Sequence, residues 1–318
     1  MKILANDGIS NETKLELENN GYVVLTDNVK QDDLITYIND NNIEILLVRS
    51  ATTVRKDLID SCENLKLIGR GGVGMDNIDV QYARDNGKIV INTPGASSQS
   101  VAELVFGQMF AISRNIYNSS ESMKNGNFNN LKKHFSKGVE LRGKTLGIIG
   151  FGRIGQTLAS YALAIGMDVL AIDIEEKSVD VKLTINNNTI NVPVDVKTNI
   201  DDILPLCDYI SLHVPKQSNG NSVINEREFN MMKNGVRIIN ASRGGVINEN
   251  DLINALDSNK VSFASLDVFE NEPNPDTKLL KHDKISSTPH IGAATLEAQD
   301  RIGNELVEQI LSHFGILV

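Results

Sequence analysis

The run Lys144-Thr145-Leu146-Gly147-Ile148-Ile149-Gly150-Phe151-Gly152-Arg153-Ile154-Gly155 decides the fold. An apolar stretch, Leu146 to Ile149, feeds into glycines at 150, 152 and 155, and Leu158, Ala159, Ala162 and Leu163 follow at helical spacing. This order predicts a strand that turns sharply into a helix. Glycines allow the tight turn and a close backbone approach, so a dinucleotide pyrophosphate can rest on the unpaired amides of the helix amino terminus. The next apolar run, Val169-Leu170-Ala171-Ile172, ends at Asp173, 18 residues beyond Gly155. A carboxylate there accepts both ribose hydroxyls and repels a 2′-phosphate, with Glu175 and Glu176 adding to the repulsion, so NAD is expected and not NADP.

Working outward, the alternation of short apolar runs with helical patterns continues in both directions. Downstream lie Tyr209 to Leu212, Ile238-Ile239, Phe263 to Leu266 and Ile285; upstream lie Ile3-Leu4-Ala5, Tyr22 to Leu25, Ile45 to Val48, Leu67-Ile68-Gly69 and Ile89-Val90-Ile91. Strand and helix in alternation predict an α/β protein with two doubly wound parallel sheets. Between the two series, Ser100-Val101-Ala102-Glu103 has the capping-box pattern, and Val101, Leu104, Val105, Met109 and Ile112 supply an apolar stripe, so a helix starting near Ser100 is expected to bridge two domains. Residues 181 to 196 alternate with period two around Asn186-Asn187-Asn188, which predicts an inserted β-hairpin. Ile302, Leu306, Ile310 and Phe314 carry an apolar stripe that must cover something earlier in the chain.

Composition narrows the function classes. The 318 residues suit roughly two domains of about 150 residues. Hydrophobic residues make up 41% and charged residues 23%, the balance of a globular protein. Lys and Arg number 31 against 41 Asp and Glu, a net charge of −10 that repels nucleic acid and acidic lipid, so an anionic substrate requires a local basic pocket. Cys62 and Cys207 lie far apart with no Cys-x-x-Cys pair, so neither a disulfide framework nor a metal site is expected, and both are read as buried. The apolar start Ile3-Leu4-Ala5 is too short for a signal segment and no 18-residue apolar run occurs, so a cytoplasmic location is expected.

Hydride transfer between an alcohol and NAD needs a base for the hydroxyl proton, a cation for a carboxylate and a group that tunes the base. Asn240-Ala241-Ser242-Arg243-Gly244-Gly245, Asp267-Val268-Phe269-Glu270-Asn271-Glu272-Pro273 and Thr288-Pro289-His290-Ile291-Gly292-Ala293-Ala294 each follow an apolar strand, at the sheet edge where open α/β folds bind ligands. His290 is therefore the expected general base. Glu272 is expected to hold its ring and stabilise the protonated form, and Arg243 to grip the substrate carboxylate with its forked donors. His213, in Ser211-Leu212-His213-Val214-Pro215, ends a strand and is expected to be structural or cofactor-lining. His134, His282 and His313 lie in polar stretches and are expected to be solvated.

These segments, with Val48 to Thr52, Gly69 to Asp79, Asn92-Thr93-Pro94-Gly95 and Ser100 to Glu103, resemble the D-isomer-specific 2-hydroxyacid dehydrogenases in order over nearly the whole chain. The resemblance implies a Rossmann-like cofactor domain over residues 98–291 and a flavodoxin-like, discontinuous substrate domain over 1–97 plus 292–318. It implies Arg243, Glu272 and His290 as the catalytic set. The cofactor side would comprise Gly150, Gly152, Arg153, Ile154, Gly155, Asp173, His213, Val214, Pro215, Ala241, Ser242, Gly292 and Ala293, with Asp267 meeting the nicotinamide amide. Among relatives, the resemblance points first to oxidation of D-3-phosphoglycerate in serine synthesis, then to hydroxypyruvate or glyoxylate reduction, and last to a non-catalytic NAD-sensing protein. A substrate phosphate would need cations, for which Arg49 and Arg70 stand at strand ends, with Ser50, Gly72 and Val73 beside them and Lys132, Lys133 and Lys137 as a further basic run. A homodimer built through the cofactor domain and bridging region is expected. The chain stops at Val318, so feedback through a serine-binding domain is not expected.

Overall fold

A computed structural model describes residues 1–317. Contacts divide the chain into two compact units, Met1–Ser98 with Ala293–Val318, and Gln99–Gly292.

The first unit holds β1 (Lys2–Ala5), β2 (Val23–Leu25), β3 (Ile45–Val48), β4 (Leu67–Arg70) and β5 (Ile89–Asn92) in the order β2-β1-β3-β4-β5. Every neighbouring pair is parallel. Both faces are covered, which explains why β3 is buried at all four positions and reads as continuous apolar sequence. The apolar stripe of the helix Leu296–Phe314 covers one face through Ile302, Leu306, Val307 and Ile310, packed with Ile3, Leu47 and Ile91. Thr295 caps that helix by accepting from the Ala298 amide.

The second unit holds β6 (Thr145–Ile149), β7 (Asp168–Ile172), β8 (Lys177–Ile185), β9 (Asn188–Lys197), β10 (Tyr209–Leu212), β11 (Val236–Asn240), β12 (Val261–Leu266) and β13 (Ile285–Ser287). Their order is β13-β12-β11-β10-β6-β7-β9-β8, parallel throughout except for the antiparallel β8–β9 pair. The strand order reverses at β6, between β7 and β10, and the carboxyl ends at such a switch point form the ligand crevice of open α/β sheets.

Two local expectations shift. The bridging helix spans Ser98–Arg114, so it starts two residues before Ser100, which lies inside its first turn. The hairpin is longer than residues 181–196, and its turn is the pair Asn186-Asn187, with φ of 48° and 65°. Asparagine tolerates the left-handed region better than other non-glycine residues, which suits both positions. Cys62 and Cys207 are both buried free thiols. Among the described residues no helix is long and apolar enough to cross a membrane, and no cluster of His, Cys, Asp or Glu could hold a metal ion.

Candidate active site

The catalytic candidates in the second unit meet at the carboxyl ends of β11, β12 and β13. His290 Nδ1 lies 2.8 Å from Glu272 Oε2, and Glu272 Oε1 accepts from the Phe269 amide at 2.9 Å. Both side chains remain partly open, at 39% and 35% exposure, so the pair is wet enough to exchange protons. Burial alone would raise the Glu272 carboxyl above its ordinary 4.5, but the His290 bond, the Phe269 amide and the charges of His290 and Arg243 outweigh it and hold it lower. The carboxylate stays ionised, so Nδ1 carries the proton towards it and Nε2 is left as the basic atom.

The loop presenting His290 is held from beneath. His290 has φ of 54°, an uncommon value for a side chain-bearing residue, and surrounding contacts must enforce it. Asp267, 1% exposed, does this: its carboxylate accepts from the Thr288 hydroxyl at 2.6 Å and from the Ile291 and Gly292 amides at 2.9 and 2.8 Å. Thr288 in turn receives a bond from buried Gln108 on the bridging helix at 3.1 Å. Nothing in the chain's pattern singles out Gln108 or Thr288, because a hydrogen-bonded pair 180 residues apart leaves no periodic trace.

Arg243 follows β11 on a loop shaped by Asn240, whose side chain accepts from the Ser242 amide and hydroxyl and donates to the Arg243 carbonyl. The Arg243 guanidinium donates to the Ser242 carbonyl, and its charge is felt at Glu272. Ala241 and Ser242 lie half-buried on the same loop. Arginine, carboxylate and imidazole thus stand together at one sheet edge, a set able to bind an acid and move a proton beside it.

Gly150 has φ of +94°, and a Cβ there would meet the His213 carbonyl oxygen at 2.6 Å, so only glycine suits that turn. Beside Gly152 the space is open, and Arg153 begins the helix Arg153–Ala164, so a phosphate can approach unhindered amides. Asp173 uses one oxygen to accept from the Phe151 amide at 2.8 Å and the other from Ile174 at 2.7 Å. A carboxylate has about four acceptor sites, so capacity remains for ribose hydroxyls. Ile154 is half-buried and Gly155 buried against the strand. These residues fit a dinucleotide.

His213 closes β10 beside this turn. Its Nε2 is 2.8 Å from the Ser211 hydroxyl, and its Nδ1 is buried with no partner. Although the residue keeps some open surface, burial of the ring pushes its pKa down to about 4, and it stays neutral at physiological pH. Val214 is half-buried and Pro215 exposed at the same strand end. His282 departs from expectation: its ring is only 15% exposed, 3.3 Å from Asp257, and accepts from the Lys284 amide. His134 and His313 are exposed.

Gly292 is the last residue of the second unit and Ala293 the first of the returning segment. In the first unit, Arg49 follows β3 and Arg70 ends the adjacent β4, and Asn77 ties them: it accepts from Arg70 Nε at 3.1 Å and donates to the Arg49 carbonyl at 2.8 Å. Asp7 accepts from the Arg49 amide at 2.6 Å and the Thr52 hydroxyl at 2.6 Å. Ser50 and Val73 are exposed on this edge and Gly72 is buried. Lys132, Lys133 and Lys137 are exposed in and after the short helix Phe128–His134.

Comparison with known proteins accords with this geometry. Residues 106–292 match the profile "D-isomer specific 2-hydroxyacid dehydrogenase, NAD binding domain". The chain is 43% identical to a hydroxypyruvate reductase of Thermotoga maritima across 99% of both chains. It is 41% identical to a D-3-phosphoglycerate dehydrogenase of Methanocaldococcus jannaschii across 98% of this chain, while spanning 57% of that enzyme. A glyoxylate reductase from Paecilomyes thermophila superposes with a TM-score of 0.83 at 25% identity, covering 98% of this chain and 94% of that one. Glycine turn, acid-imidazole pair and overall match agree: this chain belongs to the D-isomer-specific 2-hydroxyacid dehydrogenases, and it is an NAD-dependent oxidoreductase.

Proposed function

We propose that the chain oxidises D-3-phosphoglycerate to 3-phosphohydroxypyruvate, the entry step of serine synthesis, in the cytoplasm. The observation that carries the reaction type is the 2.8 Å contact between His290 Nδ1 and Glu272, which leaves Nε2 free to take the hydroxyl proton. NAD held at the glycine turn by the 150–155 segment and Asp173 supplies the hydride acceptor. Arg243 grips the substrate carboxylate and orients C2. Glu272 balances the charge of the imidazolium after His290 has taken the proton, and in the reverse direction His290 returns it.

The paired arginines Arg49 and Arg70 at neighbouring strand ends favour a second anionic group on the substrate, and so the phosphorylated acid. A second reading, reduction of hydroxypyruvate, is supported by the full-length similarity to the Thermotoga enzyme. Phe110 on the bridging helix and Ile116, Tyr117, Met123 and Phe128 after it are exposed apolar side chains, which supports a homodimer through that region.

The test compares NAD reduction by D-3-phosphoglycerate with NADH oxidation by hydroxypyruvate and by its phosphate. Arg49→Ala is expected to raise KM for the phosphorylated acids at least roughly tenfold while leaving hydroxypyruvate unaffected. His290→Ala is expected to lower kcat on the order of a hundredfold or more with NADH affinity retained. Preference for unphosphorylated hydroxypyruvate, with Arg49→Ala silent, would establish the second reading.

A further inference from the structure

The catalytic chemistry leaves the β8–β9 hairpin without a task. β8 is the last strand of the eight-stranded sheet, and all nine of its residues pair with β9 on one side only. It carries neither proline nor bulge to interrupt a long edge, and the charges that guard it are of mixed sign, Lys177 and Lys182 with Asp180. The other edge strand, β13, is three residues long and offers no comparable template.

Hydrogen-bond direction along β8 follows from its turn. Ile185 and Asn188 flank the two-residue turn and so form a hydrogen-bonded pair, after which bonded and non-bonded pairs alternate. Odd-numbered residues of β8 therefore bond to β9. Ser178, Asp180, Lys182 and Thr184 direct their amides and carbonyls outward, and all four are exposed. Val179, Val181 and Leu183 point to the opposite face, in the core cluster that includes Leu158 and Ala162.

We propose that this edge pairs antiparallel with the same edge of a second copy of this chain, about a two-fold axis through Val181. In that register Asp180 lies opposite Lys182 of the other copy, twice by symmetry, Ser178 faces Thr184, and Val179 faces Leu183. Ile185, 49% exposed, meets the aliphatic stem of Lys177. Neighbouring registers are penalised: centring on Asp180 sets two aspartates face to face, and centring on Lys182 does the same with two lysines. The order of charges thus selects one self-complementary register, which is the requirement for an isologous interface.

Sedimentation equilibrium of the full chain and of two surface variants tests this. Wild type is expected to reach twice the assembly mass of Asp180→Lys or Lys182→Asp at equal loading, because each variant opposes like charges and weakens self-association on the order of tenfold. An equimolar mixture of the two variants is expected to regain the wild-type mass, since each then supplies the charge that the other lacks. Equal masses for wild type and both variants, or a mixture that stays at the single-variant mass, would overturn the proposal. Circular dichroism of the variants separates loss of pairing from loss of fold.

Discussion

In the proposed reaction His290 and Glu272 divide one proton-transfer task between a ring that accepts and a carboxylate that holds the ring in place. Because Glu272 is held below its ordinary value of 4.5, it binds fewer protons folded than unfolded as the pH drops through that range. Its contribution to stability is present above pH 4.5 and is lost as the pH falls through its lower folded value. Glu272→Gln is expected to cut kcat on the order of a hundredfold. The stability gap between wild type and this variant, read by urea unfolding, should narrow as the pH is taken below 4.5. A gap that stays constant would mean that the carboxylate charge is not what the His290 bond stabilises. At this scale the candidate residues that the structure brings together were legible, because arginine, glutamate and histidine each follow an apolar run. Their supports were not: Asn240, Gln108 and Thr288 act through single polar contacts, and any loop sequence contains such residue types.

At the scale of elements, the loops after β11 and β12 are pressed together. A Cβ on Gly244 would stand 1.7 Å from the Phe269 carbonyl oxygen and 2.0 Å from its carbon, and backbone cannot yield as a flexible side chain would. Gly244→Ala is therefore expected to drive the Arg243 loop away from the loop carrying Glu272. The cost should be about 3 kcal/mol in urea unfolding, with a kcat loss exceeding any change in NADH affinity. Retention of wild-type stability would show that the two loops separate freely. Apolar runs located every strand except β8 and β9, since strands covered on both faces read as continuous hydrophobic sequence, whereas the antiparallel hairpin showed itself by period-two alternation. Boundaries were less legible. The bridging helix begins at Ser98 and not Ser100, because a Ser-x-x-Glu pattern marks a helix start only when the preceding residues are not already helical.

For the molecule as a whole, the least legible feature was which part the last helix completes. Its apolar stripe showed that it must be buried, but periodicity carries no address, and only the family resemblance assigned it to the amino-terminal sheet. The structure gives that assignment a measurable consequence. Leu306 is 1% exposed and packs among Ile3, Leu47, Ile91 and Ile310, all in the unit formed by Met1–Ser98 and Ala293–Val318. Leu306→Ala removes buried methyl groups from a cluster to which five strands contribute, so the surroundings collapse only partly around the cavity. A loss of about 3 kcal/mol is expected. Hydrogen exchange should show the loss as reduced protection of β1 to β5, while amides of β6, β7 and β10 keep wild-type protection and NADH still binds at the glycine turn. If protection fell equally in both groups of strands, the division into two separately cored units would be wrong as an account of how this chain is stabilised.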